Sequence, residues 1–317
     1  MRRALLWALA LGSTLVFGYI AVRGVDLAEV KDSFAEANLW WFIPSLVVLA
    51  VAVFIRAVRW QSLFEPATRP PIGPTTSSML VGVAVNNIFP FRAGEAARIV
   101  ALNRSTGTAK VEILATVALE RILDVFCLLV LLFVALPVLP DVSWIGGAAV
   151  LAGVLVLLLA SGALVFAIWG DRPLHALARL VGRLPFVSEE HVEHAGHSLT
   201  RGFVGLRHPK TAFWGFTWTT LSWIVTSFSF WIATLAFDLD VPLSAGILIL
   251  AAVGLSLVLP AAPGALGVFE AAVVLALSAY DVPRAEAVSF AFALHALNFF
   301  PYLLSGVVAL RFTRPSR

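Results

Sequence analysis

Asn86-Asn87-Ile88-Phe89-Pro90-Phe91-Arg92-Ala93-Gly94-Glu95-Ala96-Ala97-Arg98 sits inside an otherwise apolar stretch, 75–102. A Pro/Gly break and three ionisable side chains interrupt what would else be a simple span. A second apolar stretch, 242–279, is broken by Pro260-Ala261-Ala262-Pro263-Gly264-Ala265-Leu266-Gly267. After the first break the chain reads Glu95-Ala96-Ala97-Arg98-Ile99-Val100-Ala101-Leu102. After the second it reads Glu270-Ala271-Ala272-Val273-Val274-Leu275-Ala276-Leu277, and five of the eight positions are identical.

The surrounding composition names the solvent. The chain has 317 residues, 60% hydrophobic and 13% charged, with a mean hydropathy of +0.93. A soluble domain is about 45–50% apolar and about 25% charged, so the bilayer is the expected environment. The net charge of +3 comes from Arg and Lys gathered between apolar runs, the pattern of cytoplasmic loops and not of a nucleic-acid binder. The single cysteine, Cys127, excludes an intrachain disulfide and a thiolate metal cluster. It reads as a small packing residue.

Runs of about 20 apolar residues are the unit of a helical membrane protein. They fall at 4–22, 39–57, 111–137, 143–169, 211–237 and 285–310. The expected fold is therefore an all-α integral membrane protein. It is a polytopic helix bundle of about six full spans plus two re-entrant broken hairpins, forming one membrane domain over 1–317. The first run follows Arg2-Arg3 and lacks a convincing cleavage site, so it reads as a retained helix. Segment 24–38 has helical spacing and reads as a short interfacial helix. Segment 170–209 carries five of the six histidines and reads as a cytoplasmic loop. Trp40, Trp41 and Trp60, near span ends, read as interfacial anchors.

Arg2, Arg3, Arg56, Arg59, Arg69, Arg104, Lys110, Arg172, Arg179, Arg183, Arg201, Arg207, Lys210, Arg311, Arg314 and Arg317 fit one orientation, with both termini cytoplasmic in a cell inner membrane. That holds only if 75–102 returns to the cytoplasmic side and 242–279 to the outside. Arg284 is a weak exception. Units 39–137 and 211–310 then have opposite orientation, the pattern of an inverted-topology repeat with broken helices near the midplane. Non-helical backbone at that depth must be buried in protein or face a wet cavity.

Ionisable residues at helix centre cost about 2.5–3.5 kcal/mol on insertion scales. Glu120, Arg121 and Asp124 lie inside the span at 111–137, and Glu270 follows the second break. Glu120 and Asp124 share a helix face and call for a cation, which Arg92 or Arg98 would supply. Two readings stay open. The pairs tie hairpin to helix, or an arginine fork grips an anionic headgroup while the carboxylates take a cation or proton. Glu95 and Glu270 also stand where they would cap a helix N-terminus. His295 and Asn298, one turn apart, read as a buried pair bonded to backbone, with proton coupling through Glu120, Asp124 or His295 as the functional alternative. His191, His194 and His197 share a helix face, but no carboxylate pattern completes a metal site. No P-loop, Gly-x-Ser-x-Gly elbow or His-Glu-x-x-His pair occurs. The expectation is a protein that is not an enzyme and needs no cofactor or metal, with any transport driven by a gradient or running downhill.

The run Asn86 to Arg98, with Arg56-Ala57-Val58-Arg59-Trp60, Glu120-Arg121-x-x-Asp124 and Pro263-Gly264-x-x-Gly267-x-x-Glu270, resembles the flippase-like membrane region of lysylphosphatidylglycerol synthases. The resemblance covers nearly the whole chain. It implies translocation of an anionic or aminoacylated phospholipid, or a polyprenyl-linked lipid, between leaflets. Full-length members carry an aminoacyl-transfer domain after this region, and with the chain stopping at Arg317 lipid synthesis is not expected. The resemblance also implies a substrate site at Arg59, Asn86, Asn87, Pro90, Arg92, Gly94, Glu95, Arg98, Glu120, Arg121, Asp124, Pro263, Gly264, Gly267 and Glu270. The expected partner is membrane lipid as substrate, with a homo-oligomer or a separate lipid-modifying enzyme possible and no nucleic acid. The alternatives are a small-solute or ion secondary transporter, or an accessory membrane subunit of an envelope-lipid enzyme.

Overall fold

The computed structural model describes residues 2–89, 92–142, 209–256 and 263–313, with parts of 144–161. Every regular element among them is helical: α1 (Arg2–Val22), α2 (Leu27–Glu36), α3 (Phe42–Ser62), α4 (Ile72–Ile88), α5 (Ala93–Thr106), α6 (Lys110–Ala135), α7 (Pro209–Thr234), α8 (Leu243–Ser256), α9 (Val268–Ser278) and α10 (Arg284–Ala309). The boundaries have local causes. Asp26 accepts the Ala28 N–H (2.8 Å) at the start of α2. Gly107, at φ 75°, closes α5 by giving its N–H to Asn103 O (2.9 Å). Pro71 and Pro283 stand just outside the starts of α4 and α10.

Among the described residues, four helical stretches are long and apolar enough to cross a membrane: Leu39–Ser62, Lys110–Val138, Lys210–Phe237 and Arg284–Phe312. They coincide with four of the six spans expected from sequence. The expected span at 143–169 and the loop at 170–209, with its histidines, lie largely or wholly outside the described residues. The apolar end of α1 turns into α2 through a bend of 76°. Large apolar side chains such as Leu15, Val47, Phe133, Val134 and Leu304 stay exposed around the helices. Soluble monomers rarely leave so much contiguous apolar surface open, and lipid is the solvent that accepts it. The chain is an all-helical, multi-pass membrane protein.

Packing is antiparallel where α3 meets α7 and where α4 meets α10. Ser45 of α3 and Ser229 of α7 each give a hydroxyl proton to the other's carbonyl, both at 2.8 Å. At the far end of the same pair, Leu63 packs at Gly215. Gly306 of α10 lies on Ala84 and Leu80 of α4. Gly254 of α8 lies on Leu128 of α6. Lipid offers apolar side chains no hydrophobic gain, so membrane helices associate through such small residues and interhelical hydrogen bonds. The contacts have a regular pattern: α3 with α7, α4 with α10, α8 with α6, and the arm pairs α4–α5 and α8–α9. The largest apolar core joins Leu248, Ile249, Leu277, Phe290 and Leu294 of α8, α9 and α10. A second surrounds Trp60, Phe64, Leu102 and Ile113.

One expectation needs correction. Trp60 is no interfacial anchor: it is wholly buried and gives its indole N–H to Thr116 Oγ1 (3.1 Å). A donor-bearing ring is placed where its one polar group has an acceptor. Arg284 donates its guanidinium to the carbonyl of Ile20 near the end of α1, where a cation satisfies orphan carbonyls.

Candidate functional site

The first break folds α4 and α5 into a helical hairpin. A Cβ on Gly94 would stand 1.8 Å from Gly82 O, and one on Gly82 would stand 2.9 Å from Arg98 Cβ. Only glycine at both positions lets the arms touch backbone to backbone. Asn86 Oδ1 accepts the Gly94 N–H (2.7 Å), which satisfies an orphan donor at the new helix start. Arg92 makes the turn in the left-handed region, φ 54°, with its side chain exposed. Pro90 lies outside the described residues. The arms are about 26 and 21 Å long, short of the roughly 30 Å hydrocarbon core.

The second break is built from Pro263–Ala265 and the turn that follows, with Gly264 at φ 70° and Gly267 at φ 80°. The described turn of the second break lies against the end of α4 that leads into the first. Asn87 Nδ2 donates to Phe299 O (3.2 Å), and a Cβ on Gly264 would lie 3.1 Å from the Phe299 ring and 3.6 Å from Asn87 O. Helix α1 closes the far side, its Thr14 carbonyl 2.5 Å from where a Gly267 Cβ would be.

Beside the first hairpin stands an ion-pair network. Glu120, 3% exposed, receives Arg98 Nη2 at 2.5 Å, Arg59 Nη2 at 2.7 Å and Arg121 Nη2 at 3.0 Å. Asp124 receives Arg121 Nη1 at 3.3 Å and a very short contact from Arg59. Glu95 faces Arg121 (3.4 Å) and Arg98 (3.7 Å). Arg98 also lies over the Trp60 ring, 3.8 Å from its centroid. Three arginines meet three carboxylates, so the formal charge of the network is zero. Its hydrogen bonding is less complete, since Nε of Arg59, Arg98 and Arg121 and one oxygen of Glu95 lack partners.

The sequence anticipated Arg98 as a cation for the Glu120–Asp124 face, but named Arg92 as the other choice. The described ion pairs come instead from Arg98, Arg59 and Arg121. Helix α3 brings in Arg59 across 61 and 65 positions of sequence, a distance no local pattern reveals. Glu95 spends its carboxylate on Arg121 and Arg98, whereas Glu270 does cap, accepting the Gly267 N–H (2.7 Å). His295 also departs from expectation. Its partner is Glu270, at 2.5 Å through Nδ1, while Asn298 donates to Leu294 O (2.9 Å). Both members of the Glu–His pair are buried.

Glu270 and His295 are 25 residues apart, as are Glu95 and Glu120. A Glu–His pair thus occupies, after the second break, the register held after the first by two carboxylates and their arginines. Among the described residues no three His, Cys, Asp or Glu side chains gather as a metal site; His191, His194 and His197 lie outside them.

A curated relative, a "UPF0104 membrane protein" of Methanothermobacter thermautotrophicus, is 25% identical over 285 residues, covering 85% of this chain and 82% of the relative. The family described as the lysylphosphatidylglycerol synthase TM region matches residues 5–306, which include both breaks, the ion-pair network and the Glu270–His295 pair. The chain belongs to the lysylphosphatidylglycerol synthase transmembrane-region family.

Proposed function

We propose that the chain moves an anionic or aminoacylated phospholipid, or a polyprenyl-linked lipid, between leaflets, with the headgroup passing at the two helix breaks. The observation that carries this reading is the junction of Asn87, Phe299 and Gly264, which seats the non-helical turn of the second break against the last turn of α4, just before the first break, among apolar helices. Such backbone is tolerated at membrane depth where it is buried in protein or lines a wet cavity. Short arms on either side suit two re-entrant hairpins. The pairing of α3 with α7, α4 with α10 and α6 with α8 supports an inverted repeat of units 39–137 and 211–310. The lipid-related family supports the substrate class.

The test is reconstitution into liposomes with fluorescent phosphatidylglycerol, lysyl-phosphatidylglycerol and a polyprenyl-phosphate analogue, followed by dithionite quenching. Quenching beyond the outer-leaflet fraction, lost in Asn87→Ala, Arg92→Ala and Glu95→Gln proteins that still fold, is the expected result. No excess quenching for any of these lipids with folded protein refutes lipid movement. The buried Glu270–His295 pair favours one second reading, proton-linked transport of a small solute. Solute uptake driven by a pH gradient in the same liposomes distinguishes it.

A further inference from the structure

Arg56 is a cation inside the third helix that the ion-pair network does not use. Its Nη2 donates to Thr226 Oγ1 (2.9 Å) and its Nη1 to Tyr302 OH (3.3 Å). Its guanidinium carbon lies 4.8 Å from the centroid of the Trp223 ring. Among the described residues no carboxylate comes within ion-pair distance of it, in contrast to Arg59 one turn away.

The direction of the side chain matters as much as its partners. Helices α3 and α7 run antiparallel, with Ser45 beside Ser229 and Leu63 beside Gly215. By that register Thr226 stands roughly one to two turns nearer the α3 N-terminus than Arg56 itself. Arg56 therefore carries its charge into the span. A merely tolerated arginine near a helix end snorkels the other way, toward the interface.

A further donor waits beside it. Trp223 Nε1 is buried and has no acceptor, although an indole N–H is donor-only and is usually paired when buried. Thr226 Oγ1 already gives its proton to Ser222 O (2.7 Å). Tyr302, which accepts from Arg56, keeps its own O–H proton to donate. These contacts hold together an unneutralised guanidinium, an indole ring whose buried N–H is unpaired and a phenol, and among the described residues no carboxylate answers the charge. An anion with several oxygens suits such a set, since an arginine fork and neighbouring neutral donors bind it well.

We infer that Arg56, Trp223 and Tyr302, with Thr226 positioning the arginine, form an anion site between α3, α7 and α10 that takes the phosphate of a lipid headgroup. The lipid as source of the phosphate rests on the proposed translocation; the anion site itself does not. Arg59, Arg98 and Arg121 are charge-balanced by Glu95, Glu120 and Asp124, so Arg56 holds the ligand charge while the network holds the hairpin.

The experiment measures binding without transport. The full chain in neutral detergent is titrated with short-chain phosphatidylglycerol, with short-chain diacylglycerol as the phosphate-free counterpart, and with inorganic phosphate. Wild type is expected to prefer phosphatidylglycerol over diacylglycerol. Arg56→Gln weakens phosphatidylglycerol by about ten- to a hundredfold, the range of a charge-assisted hydrogen bond. Arg56→Lys keeps an intermediate affinity, and Trp223→Phe, which retains the ring and removes the N–H, loses several-fold. Inorganic phosphate competing as well as the lipid assigns the site to a soluble anion. Unchanged phosphatidylglycerol affinity in folded Arg56→Gln overturns the site. If that variant does not fold, unchanged affinity in Trp223→Phe does so. Anion binding that survives alongside absent lipid movement refutes only the translocation reading.

Discussion

Glu120→Gln is the sharpest perturbation of the ion-pair network. It keeps the shape of the side chain and removes one charge from a site where Arg59, Arg98 and Arg121 all meet the carboxylate within 3.0 Å. Three cations facing three anions become three facing two. Arg59 and Arg98 are 1% and 4% exposed, so water does not reach them to take up the difference. Breaking a buried pair by removing one partner costs about 3–5 kcal/mol, and the hairpin, held to α6 through Arg98, should loosen first. The control is the double variant Arg98→Met/Glu120→Met. It leaves Arg59 and Arg121 against Glu95 and Asp124, again neutral, and replaces a buried pair with apolar volume. That exchange is often neutral or stabilising, so the double variant should lie within about 2 kcal/mol of wild type. Steric trapping or SDS titration in mixed micelles measures both. A Glu120→Gln protein within about 1 kcal/mol of wild type would refute the reasoning. It would mean that the cluster is hydrated and that its guanidiniums are not committed to the fold.

Other outcomes follow from the same contacts. Gly94→Ala puts a Cβ 1.8 Å from a backbone oxygen, and should abolish a monodisperse peak in size-exclusion chromatography; Gly82→Ala should cost about 1–3 kcal/mol by crowding Arg98. A Ser45→Ala and Ser229→Ala double-mutant cycle should give a coupling near 0.6 kcal/mol and below about 1.7 kcal/mol, the span for interhelical hydrogen bonds in a bilayer. His295→Phe strands a buried Glu270 oxygen and should lower thermal stability measurably in detergent, whereas His295→Gln, which still donates, should lose less. An unchanged melting temperature in His295→Phe would show that Glu270 needs only the Gly267 N–H.

Much of the candidate site was legible because its chemistry is local. Prolines and glycines clustered inside an apolar run break a helix through the limits of their own backbones, while single ones such as Gly82 and Pro301 stay within α4 and α10; Gly94, Gly264 and Gly267 sit where the structure turns or presses backbones together. Glu120 and Asp124 are one turn apart on one helix, so their need for a cation was visible. Which cation answered was not visible. Arg59 is brought by α3, and Arg121 pairs with Asp124 on its own helix while reaching to Glu95 on another. The Glu270–His295 pair joins α9 to α10, whereas the sequence offered Asn298 because it was the nearest polar neighbour on the same helix. Trp60 misled for a related reason: its place near a span end suggests an interface, and only packing shows that Arg98 and Thr116 enclose it.

The sequence by itself determined the solvent, the helical class, four of the span positions and the places where helices break. Each follows from hydropathy summed along a segment, or from the backbone limits of proline and glycine, and neither depends on neighbours distant in the chain. The tertiary structure decided which charges cancel and which do not. Arg56 and Arg59 stand three residues apart with much the same sequence surroundings, yet one is matched to Glu120 and Asp124 while the other faces Trp223, Thr226 and Tyr302. The reason is physical: an ion pair is set by distances of a few ångströms in a poorly screened interior, and those distances are fixed only when helices far apart in sequence pack.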